Sequence, residues 1–530
     1  QLPASVDWSQ QRKADRYTAT LPSAWLKPGL SVTVTAGAAH LSFTADQLGV
    51  SAAPDLNLVM LPVDVLNYNQ GKDDIPIPDT WFPDFAGAAP AAHFRFGQFP
   101  ARVPLPELVV SPDGSGGVDP VLLTRRPCDQ GETSPDCVAS DIEGMSIQAA
   151  VLRVISAIHS ATGEFSYAYY YGNTQHFEPG GWGGGKNFVG ADFTGIFIHE
   201  IGHALSLPHW GEGAFQNTSP KEGDYRYPYG GNGNDGGGRG ESWNYYQDVA
   251  EFTSPICQIK DNENFGLERS DAMQRNADCD EMRSTGVGPW DGYGDFSALA
   301  EFRYMKGATE AYAGTVPYRG ADAPFHLPPQ TGFPNLVVDA TGKRSLVRAN
   351  QPTDLSNEER YDFMVPQAWD VPVATLYGTY HPSVAAANVL YAPLEYQGTL
   401  PHVLDPTDSA TFSQLAKGGT GPYEDYFYWP KDLTLQVTYD DGSQLVALYP
   451  FDSVDRNWKL QSGPWRYDLL YFALNVPRNK PIKQVDLYER PFVVRGASDT
   501  DAGNIANPTL GITAQTFMKD AKLVTSWKRP

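Results

Sequence analysis

Apolar and polar residues alternate through LSVTVTAGAAHLSFTA near residue 30, the pattern of strands with one wet face. LNLVMLPVDVL, starting at Leu56, is a more continuous apolar run, as a buried strand has. Residues 70–105 are dense in Pro, Gly and aromatic side chains and read as an ordered loop region. Near residue 145 the period changes. Ile147, Val151, Val154, Ile155 and Ile158 fall on one face at helical spacing, and Gly163 stands where a C-terminal cap belongs. EFSYAYYYG then predicts a strand, followed by the glycine-rich segment GGWGGGKNFVGA.

Residues 211–240 form a long polar, glycine-rich loop of the kind that tends to be functional. Beyond about residue 310 helical periodicity is scarce and short strand patterns recur: LTLQVTYDDGSQLVALYPF, RYDLLYFALNV and QVDLYERPFVV. Asp440-Asp441-Gly442 between two alternating runs predicts a hairpin. The whole reads as an α+β chain. Residues 1–310 make one domain, with a β-rich part over 1–140 and a core over 141–310. Residues 311–530 make a β-sandwich-type accessory domain.

The segment that carries chemistry is DFTGIFIHEIGHALSLPHW, residues 192–210. Asp192 or Thr194 can cap a helix, and Ile196, Phe197 and Ile201 give it an apolar side. His199 and His203 are four apart, so on a helix they share a face and can hold one zinc ion. Glu200 sits beside the first of them, where its carboxylate can act as general base on a water that the metal activates. Pro208 ends the helix ahead of His209, which can turn back as the third ligand. Three imidazoles leave one position of a tetrahedral zinc open, as catalysis requires. Trp210, next to the third ligand, and Trp182 in the glycine-rich segment are candidates for lining a substrate pocket. Tyr245, Tyr246 and Tyr293 are candidates for supporting an oxyanion. The glycine-rich segment is not a phosphate loop, because Lys186 is followed by Asn187 where Ser or Thr is needed. A closely approached or mobile rim of a cleft fits it better.

Composition narrows the class further. The formal charge of −23 argues against nucleic acid and anionic membranes as partners. No run of about 18 apolar residues is present to span a bilayer. The first residues, QLPASVDW, lack the basic-then-apolar order of an export signal, which fits a signal already removed or a start inside a longer chain. Cys128, Cys137, Cys257 and Cys279 fall as two local pairs with no C-x-x-C. Disulfides 128–137 and 257–279, implying an oxidising compartment, are the expectation; four buried thiols are the alternative. Acidic turns at 231–235 and 261–264 are the candidates for calcium. The pattern carries no signal for or against self-association.

His199, Glu200, His203 and His209 resemble the metzincin clan, whose motif is H-E-x-x-H-x-x-G-x-x-H followed by a Met-turn. The chain departs from it at Ser206, where the clan has the glycine that eases a sharp turn. Met273 in SDAMQRN matches the Met-turn, with Met282 and Met305 as competitors. Within the clan the chain is similar to the StcE-like (TagA-related) secreted metalloproteases over about residues 17–310. The likeness runs through LPSAWLKPGLSVTV, DLNLVMLPVDVLNY, the helix near 150, GGWGGGKNFVGA, the zinc motif, SDAM and DGYGDFSALAEFRY. The resemblance implies a zinc endopeptidase exported by a bacterium, acting on proteins or glycoproteins of the O-glycosylated, mucin-like kind. A glycan-binding or adhesive surface protein with a vestigial zinc site is the competing reading. A zinc hydrolase of non-peptide substrates is a third.

Overall fold

The computed structural model describes residues 29–48, 55–68, 93–111, 120–128, 132–135, 137–138, 144–162, 169–174, 181–184, 187–190, 366–417, 430–450, 469–493 and 512–530. It adds short strands at 244–246, 251–253, 256–258, 267–269, 336–339 and 344–346, and single positions at 21–22, 25, 177, 197, 200, 201 and 204. Strands predominate and helices are few, a β-rich α+β fold.

Strands β1 (Val32–Ala36) and β2 (Ala39–Phe43) form a two-stranded ribbon around Gly37, whose φ of 61° suits glycine. A short helix α1 (Ala45–Leu48) follows. The alternation in this segment predicts a covered apolar face, yet Val34, Leu41 and Phe43 are exposed. The ribbon is paired only to itself, so no second strand pair shields that face among the described residues.

β3 (Asp55–Val65) is the buried strand expected of LNLVMLPVDVL; Leu58 through Val65 are buried throughout. The next segment corrects the loop expectation over 70–105. β4 (His93–Gln98) pairs in parallel with β3, and β5 (Val103–Leu105) does so at its far end. Pro and Gly density hid the alternation in HFRFGQ. β6 (Leu108–Val110) and β7 (Val121–Leu123) make a small ribbon. β8 (Arg126–Pro127) and β9 (Cys137–Val138) are joined by the expected Cys128–Cys137 disulfide, with Arg126 ion-paired to Glu132 inside the loop.

Helix α2 (Gly144–Ala161) matches the periodicity, and all five of its predicted core residues are buried. β10 (Tyr169–Asn173) runs parallel to β3, and β12 (Asn187–Gly190) runs parallel to β10. β11 (Gly181–Gly184) closes the edge, antiparallel to β12. Four more short strands form two ribbons: β13 (Asn244–Tyr246) with β14 (Glu251–Thr253), and β15 (Ile256–Gln258) with β16 (Leu267–Arg269). β17 (Leu336–Asp339) and β18 (Arg344–Leu346) extend the main sheet beyond β4. Its order is β11-β12-β10-β3-β4-β17-β18, and it draws on chain from both sides of residue 310.

The rest of the described chain forms two further antiparallel sheets. One holds β19 (Pro366–Tyr380), β20 (Val389–Leu390), β21 (Leu394–Pro401) and, paired to β19, β24 (Leu470–Pro477). The other holds β22 (Pro430–Tyr439), β23 (Gln444–Leu448), β25 (Ile482–Val493) and β26 (Lys522–Lys528). The predicted hairpin joins β22 to β23, with Gly442 at φ 81°. Helix α3 (Ser409–Lys417) lies between β21 and β22 in the chain.

Alternation along β19 and β24 sorts their side chains to two cores. Ala374, Leu376, Phe472, Leu474 and Val476 meet Leu433, Leu435, Val485 and Leu487 of the other sheet. Val373, Tyr377, Tyr471 and Ala473 join a core with α2 and β3. The Tyr377 hydroxyl donates to Pro104 O at 2.8 Å, and the Tyr471 hydroxyl to Val109 O at 2.7 Å. The α2 helix is therefore covered on both sides, by the main sheet and by the β19–β24 sheet. This explains its apolar width, since a helix buried on two sides needs more than one stripe.

Candidate functional site

Cross-strand partners share a face of a sheet, so the register around β10–β12 fixes what meets what. Tyr170 pairs with Asn187, and Gly172 with Val189. These residues face α2. His159 of α2 stacks on Tyr170 with ring centroids 3.7 Å apart, and its Nδ1 donates to Asn187 Oδ1 at 2.7 Å. Asn187 Nδ2 continues to Ser156 Oγ at 3.1 Å. A methyl group at Gly172 would overlap Ile155 Cδ1, so the strand backbone lies directly against the helix there.

The opposite face belongs to the candidate site. Tyr171 and Phe188 alternate onto it, and Phe197 packs edge-on to Tyr171 at 5.1 Å and tilted to Phe188 at 5.5 Å. Phe197, Glu200, Ile201 and Ala204 are helical, and all four are buried. Phe197, Ile201 and Ala204 supply the apolar side that seats the helix, and Glu200 is carried with them to 3% exposure. Burial pushes its carboxyl up to about 8, because a low-dielectric setting disfavours the charged form.

Gly181 of β11 lies against this carboxyl. A methyl group there would sit 2.5 Å from Glu200 Cγ and 2.8 Å from Cδ, and closer still to the Val189 carbonyl oxygen. The glycine-rich segment is thus a strand pair whose edge closes over Glu200. The close-approach reading of its glycines points to such a contact, but the pattern does not name Gly181 as its agent. Tyr171 and Phe188, which wall the carboxyl's helix, were likewise legible only as strand residues.

The other predicted positions fall as follows. Trp182 is 41% exposed and pairs with Val189, which places it on the α2 face, across the sheet from Gly181 and Glu200. Tyr245 and Tyr246 lie in β13. Cys257 lies in β15. His199, His203, His209, Trp210, Met273, Cys279, Tyr293 and both acidic turns lie outside the described residues. Among the described residues no three His, Cys, Asp or Glu side chains form a metal-holding group. The donor chemistry does fit a metal. Two imidazoles flank a buried carboxyl in the motif, imidazole nitrogen is a good zinc ligand, and a carboxyl taken out of water is stabilised by a cation beside it. No helix among the described residues is long and apolar enough to cross a membrane.

Comparison with known proteins bears on the same segment. The dictomallein of Burkholderia pseudomallei strain 668 is 26% identical over 550 residues, covering 96% of this chain and 72% of that protein. The dictomallein of Burkholderia mallei strain SAVP1 is 25% identical over 551 residues with the same coverage. Dictomallein-2 of Dictyostelium discoideum is 24% identical over 384 residues, covering 67% of this chain and 59% of that protein. The profile of the Peptidase M66 family matches residues 8–306, more than half the chain and a span that contains Glu200 and the three histidines. The chain belongs to the Peptidase M66 family and is a metallopeptidase.

Proposed function

We propose that this protein is an exported zinc endopeptidase of metzincin type, with His199, His203 and His209 as metal ligands and Glu200 as general base. The observation that carries the reading is the position of Glu200. It is the second residue of His-Glu-x-x-His, buried on a helix seated by Phe197 and closed over by the sheet edge at Gly181. Zinc bound there would supply Lewis-acid chemistry, acidifying water and polarising the scissile carbonyl. Glu200 takes the proton of the attacking water and passes a proton to the departing amine. Held in one place between helix and strand, its carboxyl needs no reorganisation as the reaction proceeds.

The accessory sheets from residue 366 onward are of β-sandwich type in this reading. The Cys128–Cys137 disulfide supports an oxidising, extracellular destination. Substrates are extracellular proteins, with O-glycosylated, mucin-like glycoproteins as the class to try first. The test is digestion of casein and of mucin, with and without a chelator, alongside Glu200→Gln. Cleavage should stop under either treatment, and cleavage that survives both overturns the mechanism. Mass-spectrometric mapping of the cut sites then reads specificity. Products cut only beside glycosylated Ser or Thr support the mucin class, and cuts spread through casein refute it. Binding of glycans by a variant dead for hydrolysis would favour the adhesive alternative.

A further inference from the structure

The glycine-rich edge strand does more than border the site. A side chain on β11 at position 181 would have to share space with the Glu200 side chain and with the Val189 carbonyl of the neighbouring strand. The Val189 contact is with backbone inside the sheet, so it cannot yield without moving the strand. The Glu200 contact is with Cγ and with the carboxyl carbon Cδ, so relief there changes the carboxyl's position. Gly181 is itself buried, and its partner in register is Gly190, so neither residue at this rung brings a side chain to the Glu200 face. The same sheet face seats the helix through aromatic rings. Phe197 is locked between Tyr171 and Phe188, and Ile201 and Ala204 are buried beside it. The Glu200 side chain is thus held on the sheet-facing side of its helix, with aromatic rings on β10 and β12 seating the helix and bare backbone of β11 against the carboxyl arm.

We infer that Gly181 is a positioning residue for Glu200: by lacking a side chain it lets the edge strand press against the Glu200 Cγ and carboxyl carbon and fixes where the carboxyl stands. This rests on the reading of Glu200 as general base. The smallest addition at position 181 meets the Glu200 side chain directly and is expected to displace the base while leaving every metal ligand in the chain.

The experiment is a double-mutant cycle in the full chain, loaded with zinc, using Gly181→Ala, Glu200→Ala and both together. Alanine at position 200 lacks Cγ and Cδ, the two atoms that the added methyl would meet, while the conflict with the Val189 carbonyl stays in both backgrounds. For Gly181→Ala alone, kcat should fall about 10- to 100-fold, the size of effect that misplacing a base produces. KM and bound zinc should change less than about twofold, since substrate and metal contacts are kept. In the Glu200→Ala background, which has no carboxyl to displace, the same change should lower the residual kcat by less than about threefold. The melting temperatures of the same four proteins give a second cycle that does not depend on catalysis. There Gly181→Ala should destabilise the chain with Glu200 more than the chain with Glu200→Ala, the Val189 part of the penalty being common to both. An equal penalty in both backgrounds, in kcat and in melting temperature, overturns the inference, as does no penalty at all. Glu200→Gln is run in parallel. If it hydrolyses protein at the unaltered rate, the general-base reading fails, and the melting cycle alone decides whether Gly181 holds Glu200 in place.

Discussion

Among the described residues, the two faces of the β10–β12 sheet each receive a helix that buries an acid–base side chain, and the two groups are set in different surroundings. On the α2 face, His159 is stacked on Tyr170 and hydrogen-bonded to Asn187, which is itself held by Ser156. On the other face, Glu200 is carried in by an apolar helix against aromatic rings and a glycine backbone, and burial raises its proton affinity. A polar group matched by partners fixes structure. One placed where desolvation dominates is held at higher free energy and is the one available for chemistry. Glycine serves both faces, with Gly172 admitting Ile155 and Gly181 admitting Glu200.

The largest way to sharpen this contrast is Glu200→Gln. It keeps the shape and removes the base, and kcat/KM should drop about 10²- to 10⁴-fold with bound zinc retained, as read by a peptide-cleavage assay and metal analysis. His159→Leu, on the matched face, should do the reverse. It strands Asn187 in the core and should lower stability by about 2–4 kcal/mol in urea melts, while kcat per folded molecule stays put. Gly172→Ala should lower stability by about 1–3 kcal/mol through overpacking, and trimming the conflicting methyl with Ile155→Val should recover most of it. A loss of kcat in either α2-face variant would break the division of labour between the faces.

The smallest effect concerns the metal-free protein. The folded-state pKa of Glu200 lies near 8, above the ordinary carboxylate value of 4.5, so between those values the folded chain binds the extra proton. The folded state is then favoured at low pH, and this advantage fades as pH rises through about 8. Glu200→Gln should therefore match the parent chain near pH 4.5 and exceed it by about 1–2 kcal/mol near pH 9. A parent chain that is the more stable of the two at pH 9 would contradict the desolvated setting of this carboxyl.

Local pattern was enough to place several elements. The five apolar residues of α2, the run that became β3, the tyrosine strand β10 and the Asp440-Asp441-Gly442 hairpin follow from spacing and turn chemistry within one segment. So does the pairing of Cys128 with Cys137. The motif likewise singles out Glu200 by its neighbours. What could not be read locally is what depends on pairing between distant segments. The parallel register that puts Gly172 under Ile155, and the approach of Gly181 to Glu200, exist only once β10, β11 and β12 are side by side. β4 was hidden because Pro and Gly around it outweighed a six-residue alternation. The β1–β2 ribbon shows the opposite error, since alternation reports the capacity to bury a face and not the presence of something to cover it.

The two-sided burial of α2 has a practical consequence for anyone trimming the gene. The family profile stops at residue 306, yet Val373, Tyr377, Tyr471 and Ala473 lie in the same core as that helix. An expression plasmid cut at the profile's end would encode a helix with one flank bare and a sheet missing two strands. Such a product should collect in inclusion bodies, whereas the uncut reading frame should yield soluble enzyme.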